Sequence, residues 1–270
     1  MPNVVFVAPF FLDATLRFVD AGSQLPGVRL GLVSQDPPDK LPPELRRRLA
    51  AYARVSDGTD TAQITAGVRE IAAQLGSVDR ILGTLEQLQV QLAEVRAALG
   101  IPGLSVEAAH NFRDKSRMKT LLHAAGLPCA RHRLVSDVRA GLDFAATVGF
   151  PIVVKPPAGA GARNTFRIEA LDDLQRALEA MDLSPQNPTL LEEFITGQEH
   201  SFDSVCVRGQ LVWHSVSRYF PTPLEVLHNP WIQWVVMLPR EIDSPEYADI
   251  RTAAARSLAV LGLETGLTHM

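Results

Sequence analysis

The segment from Pro151 to Ile168 constrains this chain more than any other. It reads Pro-Ile-Val-Val-Lys-Pro-Pro-Ala-Gly-Ala-Gly-Ala-Arg-Asn-Thr-Phe-Arg-Ile. Ile152-Val153-Val154 is a β-branched run that suits a buried strand, and it ends at Lys155. A Gly-rich turn follows before the chain returns to strand. A lysine at a strand end holds its ammonium at a fixed place. Gly159 and Gly161 lack a Cβ, so backbone amides there can approach an anion, and Arg163 adds a second cation. The spacing is not that of a Walker loop. Nor is it a dinucleotide glycine motif opening a helix, because the residues that follow read as strand. A plain hairpin with a Gly-rich turn and a solvated lysine fits the same residues. The segment alone therefore suggests phosphate without deciding it.

A second segment weighs on that choice. Leu190-Leu191-Glu192-Glu193-Phe194-Ile195 leads through Thr196, Gly197 and Gln198 to Glu199. A strand running into an exposed linker there can offer backbone groups to an adenine edge. Leu191, Phe194 and Ile195 supply apolar walls of the kind nucleobase pockets use. Glu199 is placed to accept hydrogen bonds from both ribose hydroxyls. A solvated strand end is the plainer reading of Glu192 and Glu193. Their position after the lysine loop favours the nucleoside.

With these pieces in order, the chain resembles the ATP-grasp superfamily, the carboxylate–amine and carboxylate–thiol ligases that include biotin carboxylase and D-alanine–D-alanine ligase. Asn111-Phe112-Arg113-Asp114-Lys115 looks like the family's Asp-Lys helix start, and Ala124-Ala125-Gly126-Leu127-Pro128 like its turn. Gly149-Phe150-Pro151-Ile152-Val153-Val154-Lys155-Pro156 looks like its lysine strand, and Glu192-Glu193-Phe194-Ile195 like its hinge. The similarity covers residues 110 to 270. It implies Lys115 and Lys155 at the α and β phosphates, and residues 158 to 163 as a lid over them. It also implies Glu192, Glu193, Phe194 and Ile195 at adenine, and Glu199 at ribose. Without the resemblance, Lys115 reads as a basic residue in the first turn of a surface helix.

The implied fold is α/β. An N-terminal parallel-sheet pre-ATP-grasp domain spans 1–105. An ATP-grasp α+β module follows, with a central and lid region at 106–195 and the start of a C-terminal subdomain at 196–270. The first domain alternates strand and helix. Strands are predicted at Val4–Val7, Arg29–Val33 and Val78–Leu82, and helices at Thr15–Gln24, Ala62–Leu75 and Leu85–Leu99. Helices are also predicted over 114–126, 136–148, 171–181 and 246–261, and paired strands at 200–207 and 210–217. The family's Mg²⁺ carboxylates would lie beyond His269-Met270. The expectation is thus an incomplete piece of a longer frame, or a chain completed by a partner, with no metal ligand among these residues.

Composition sets outer limits. An apolar fraction of 46% and a charged fraction of 21% describe an ordinary globular chain. A net charge of −4 gives no polybasic nucleic-acid surface. Two cysteines, Cys129 and Cys206, suit a reducing cytoplasm better than a disulfide framework. No apolar run of about 18 residues and no leader pattern is visible, so no membrane partner is expected.

Arg218, at the end of an apolar strand, is the residue expected to grip a substrate carboxylate through a planar two-point contact. Arg240 is a second candidate, and both also read as surface arginines. The resemblance implies an ATP-dependent ligase in which a carboxylate becomes an acyl phosphate and an amine displaces the phosphate. The partners are then ATP, a small carboxylate and an amine acceptor, with a homodimer left open. Two other readings stand beside it: a non-catalytic nucleotide-binding fragment, and a carboxylase-type enzyme using bicarbonate.

Overall fold

In the first unit, Met1–Arg113, strand and helix alternate because the apolar pattern switches between periods of two and of three to four. A computed structural model describes residues 1–158 and 164–270. The order is β1 (Asn3–Val7), α1 (Asp13–Ser23), β2 (Arg29–Ser34), α2 (Pro43–Arg48), β3 (Ala51–Arg54), α3 (Thr61–Leu75), β4 (Arg80–Leu82), α4 (Gln89–Leu99) and α5 (Val106–Arg113). The four strands form a parallel sheet in the order β3-β2-β1-β4. Alternation along β1 sends Val5 and Val7 to one face, against Ile64, Val68 and Ile71 of α3 and Leu92 and Val95 of α4. Phe6 and Ala8 go to the other face, against Val19 of α1 and Leu45 of α2. A sheet covered on both faces is what parallel pairing needs. At Gly31 a Cβ would lie 2.8 Å from Cγ2 of Ile71, so α3 approaches β2 more closely than any side chain at 31 would allow.

Side-chain caps set the helix starts. Asp60 accepts the Gln63 N–H at 2.8 Å and opens α3. Gly76, at φ 89°, closes it in the left-handed conformation. Three elements of this unit were not predicted from the pattern: α2, α5 and the four-residue β3, Ala51-Tyr52-Ala53-Arg54. The predicted helix from Leu85 is a short 3₁₀ turn, Glu86–Leu88, followed by α4.

The second unit, Asp114–Met270, begins with α6 (Lys115–Ala124), β5 (His132–Val135), α7 (Val138–Val148), β6 (Ile152–Lys155), β7 (Phe166–Ile168), α8 (Leu171–Glu179) and β8 (Thr189–Glu193). Its first sheet, β5-β8-β6-β7, is antiparallel throughout. Ile152, Val154 and Leu191 pack with Phe144 of α7 and with Leu174 and Leu178 of α8. The other face carries Val153, Lys155, Leu190 and Glu192. The chain continues through β9 (His200–Val207), β10 (Gln210–Phe220), α9 (Pro223–His228), β11 (Val235–Met237), α10 (Ala248–Leu261) and β12 (Gly266–His269). These strands make a second antiparallel sheet, β11-β10-β9-β12. Phe202 and Val216 pack there against Tyr247 and against Ala254 of α10. Among the described residues no helix is long and apolar enough to cross a membrane.

Candidate functional site

The pairing of β6 with β8 decides which charges meet. Val153 stands opposite Glu192, and Lys155 opposite Leu190. Side chains alternate with period two, so Lys155 and Glu192 share the face turned away from α7 and α8. Glu193 falls on the other face. Lys155 Nζ donates to Glu192 Oε2 at 2.8 Å. The Glu192 side chain is only 8% exposed and that of Lys155 20%. A carboxylate buried to this degree needs a paired charge to offset its lost hydration.

A second lysine arrives from α6. Asp114 caps that helix, accepting the N–H groups of Ser116 and Arg117 at 2.9 and 3.0 Å. The backbone N–H of Lys115 donates to the Pro157 carbonyl at 3.0 Å, which ties the helix start to the segment just past Lys155. One turn on, Lys119 Nζ lies 3.4 Å from Glu192 Oε1, with 18% of its side chain exposed. This contact is an ion pair without hydrogen-bond geometry, since Oε1 is buried and has no hydrogen-bond partner. Lys119 did not stand out in the sequence. The signal that could have found it is its spacing from Lys115, because residues four apart share one helix face.

Glu193 is engaged elsewhere. Its Oε1 accepts the Arg131 backbone N–H at 2.8 Å, and its Oε2 accepts the Arg131 Nε–H at 2.5 Å. The backbone hydrogen bond first, and then the guanidinium, hold its carboxyl below the ordinary glutamate range. Phe194 lies under the guanidinium of Arg167, whose Cζ is 4.1 Å from the ring centroid. Arg167 comes from β7, a long-range partner that local pattern does not announce. Ile195 is 63% exposed on the linker between β8 and β9. Glu199 keeps solvent access in the same linker, while partial desolvation raises its carboxyl from the ordinary value. Gly159, Gly161 and Arg163 lie outside the described residues.

Arg218 sits on β10 opposite His200 of β9 and Met237 of β11. Its Nη1 lies 3.3 Å from Glu246 Oε1, and its Nη2 donates to Gln198 Oε1 at 3.2 Å. Gln198 neighbours Glu199, so Arg218 and the linker after β8 are directly connected. On the same sheet, Asp203 meets both His269 Nδ1 at 2.7 Å and the Ser215 hydroxyl at 3.4 Å. The carboxylate, not the imidazole, stands in the middle, which is not the order that activates a serine. Among the described residues no group of three or more His, Cys, Asp and Glu side chains is arranged to hold a metal ion.

Residues 114–205 match the family described as carbamoyl-phosphate synthase L chain, ATP binding domain. A stretch of 170 residues is 32% identical to an L-arginine-specific L-amino acid ligase of Bacillus subtilis, covering 61% of this chain and 41% of that one. The fold is similar to the crystal structure of an L-amino acid ligase from Bacillus licheniformis. That match has a TM-score of 0.75 at 18% identity and spans 100% of this chain and 62% of that one. It is also similar to a biotin carboxylase from Campylobacter jejuni, with a TM-score of 0.70 at 19% identity, spanning 99% of this chain and 60% of that one. The chain thus spans less than two thirds of the length of these relatives. The lysine strand, the capped lysine helix and the hinge all fall inside the segment that matches this ATP-binding family model, and both units are similar in fold to these ligase and carboxylase structures.

Proposed function

We propose that this chain carries the nucleotide-binding part of an ATP-dependent ligase that activates a carboxylate as an acyl phosphate and joins it to an amine. The observation that carries this reading is the convergence of Lys155 and Lys119 on the buried Glu192. Two ammonium groups meet one carboxylate there, leaving surplus positive charge on a partly enclosed face. A polyphosphate is the natural complement of such charge. The exposed Ile195 and the half-buried Phe194 lie beside it on the β8–β9 linker and suit the apolar walls of a nucleobase slot.

In this reading a carboxylate oxygen of the substrate attacks the γ-phosphorus of ATP, and ADP leaves with the electron pair of the broken P–O bond. The amine then attacks the acyl carbon. Phosphate leaves with the C–O pair, and the nitrogen loses a proton. Lys155 and Lys115 hold phosphate oxygens. Arg218 turns from Glu246 to the substrate carboxylate. Mg²⁺ would neutralise charge between the phosphates. Among the described residues no acidic cluster is arranged to hold it. The relatives named for L-amino acid ligation support amino acids as both the acid and the amine. The free cysteines Cys129 and Cys206 support work in a reducing cytoplasm.

The test is ADP release in the presence of Mg²⁺-ATP and pairs of L-amino acids, L-arginine included. Release that depends on both amino acids, with a dipeptide as product, is expected. Nucleotide binding without any acid-dependent release would favour the non-catalytic nucleotide-binding reading instead.

A further inference from the structure

The two lysines at Glu192 are not equivalent, and the difference has a use. Lys155 makes a hydrogen bond to Oε2 at 2.8 Å, while Lys119 stands 3.4 Å from Oε1, which keeps no hydrogen bond at all. One lysine would suffice to neutralise one buried carboxylate. A second partly buried ammonium adds repulsion and desolvation, which a purely structural pair does not need. Lys119 also lies one helical turn from Lys115, on the helix whose start is tied to Pro157 beyond Lys155.

We propose that Lys119 is a further phosphate-binding cation of the nucleotide site, and that Glu192 is the positioning residue that holds Lys119 and Lys155 ready for it. This rests on the nucleotide-binding reading above. In the ligand-free protein, Glu192 stands in for part of the phosphate charge and offsets the repulsion between the lysines. When nucleotide enters, Lys119 has the looser contact and is the one free to swing onto a phosphate oxygen. Lys155 stays bonded to Oε2 and keeps its aim. Glu192 acts through the lysines, since its own carboxylate is buried behind them.

The experiment measures ATP affinity by calorimetry and adenosine affinity by ligand-observed NMR for the wild type, K119M, K119R and E192Q. Melting of each variant is followed without nucleotide. K119M should weaken ATP by about tenfold, the size of one charge-assisted contact, and leave adenosine unchanged. K119R should restore ATP affinity. E192Q should also weaken ATP, although it makes the site more positive, and should leave adenosine unchanged, whereas loss of a direct adenine contact would weaken both. Coulomb attraction alone predicts the opposite sign. If K119M binds ATP like the wild type and only melts earlier, Lys119 is structural and the inference is wrong. Tighter ATP binding by E192Q would overturn the positioning role. If the wild type itself takes up no nucleotide, the failure belongs to the ligase reading.

Discussion

Arg131 and Glu193 grip each other from both ends. The Arg131 backbone N–H and Nε–H donate to the two carboxylate oxygens of Glu193, and the Glu193 N–H donates back to the Arg131 carbonyl at 3.0 Å. The contact fastens the segment entering β5 to the end of β8, next to Glu192. A carboxyl whose folded pKa is lowered adds stability above its unfolded value, about 4.3, and loses it as pH falls through the folded value. E193Q should therefore melt below the wild type near neutral pH, and the gap should close on acidification. Melting both from about pH 7 to about pH 3 checks this. A gap that stays constant across the range would mean that the carboxylate charge is not what matters.

Asp114 ties the stability of α6 to the site it carries. D114A removes the acceptor of the Ser116 and Arg117 N–H groups and should cost about 1 kcal/mol in denaturant unfolding. D114N, which keeps a side-chain acceptor, should recover most of that. Because Lys115 and Lys119 ride on this helix, D114A should also weaken ATP binding. An unchanged unfolding midpoint would show that the cap contributes little.

Asp114 and Asp60 also show what was legible in the sequence. A short acceptor before an apolar-periodic run marks a helix start, and both mark one. The β-branched runs at β1 and β6 and the apolar run at β2 read as strands from equally local pattern. β3 did not, because Ala51-Tyr52-Ala53-Arg54 is short and two of its residues are alanine, a poor strand former. Its strand state comes from pairing with β2, which is tertiary information. The site divides in the same way. Lys155 and the hinge were visible as local motifs. The meeting of Lys119 with Glu192, and of Arg167 with Phe194, depends on register and helix placement between distant segments.

Close packing at Gly31 gives a sharp test of the first unit. A Cβ there would press on Cγ2 of Ile71, a branched side chain with little rotamer freedom. G31A should destabilise the chain by about 1–3 kcal/mol, the usual range for an overfilled core. Trimming the neighbour in G31A/I71V removes Cδ1 of Ile71, which would lie 3.2 Å from the same Cβ, and it should recover part of the loss. Strict additivity of the two changes would show that the contact does not couple them.

In the proposed ligase the face carrying Lys155 and Glu192 binds the phosphates of ATP. The most direct measurement is calorimetric titration of ATP into the wild type and K155M, with melting curves confirming that both are folded. Binding by the wild type and at least about a tenfold loss in K155M are expected. Equal ATP affinity in the two folded proteins would mean that this face does not hold the phosphates.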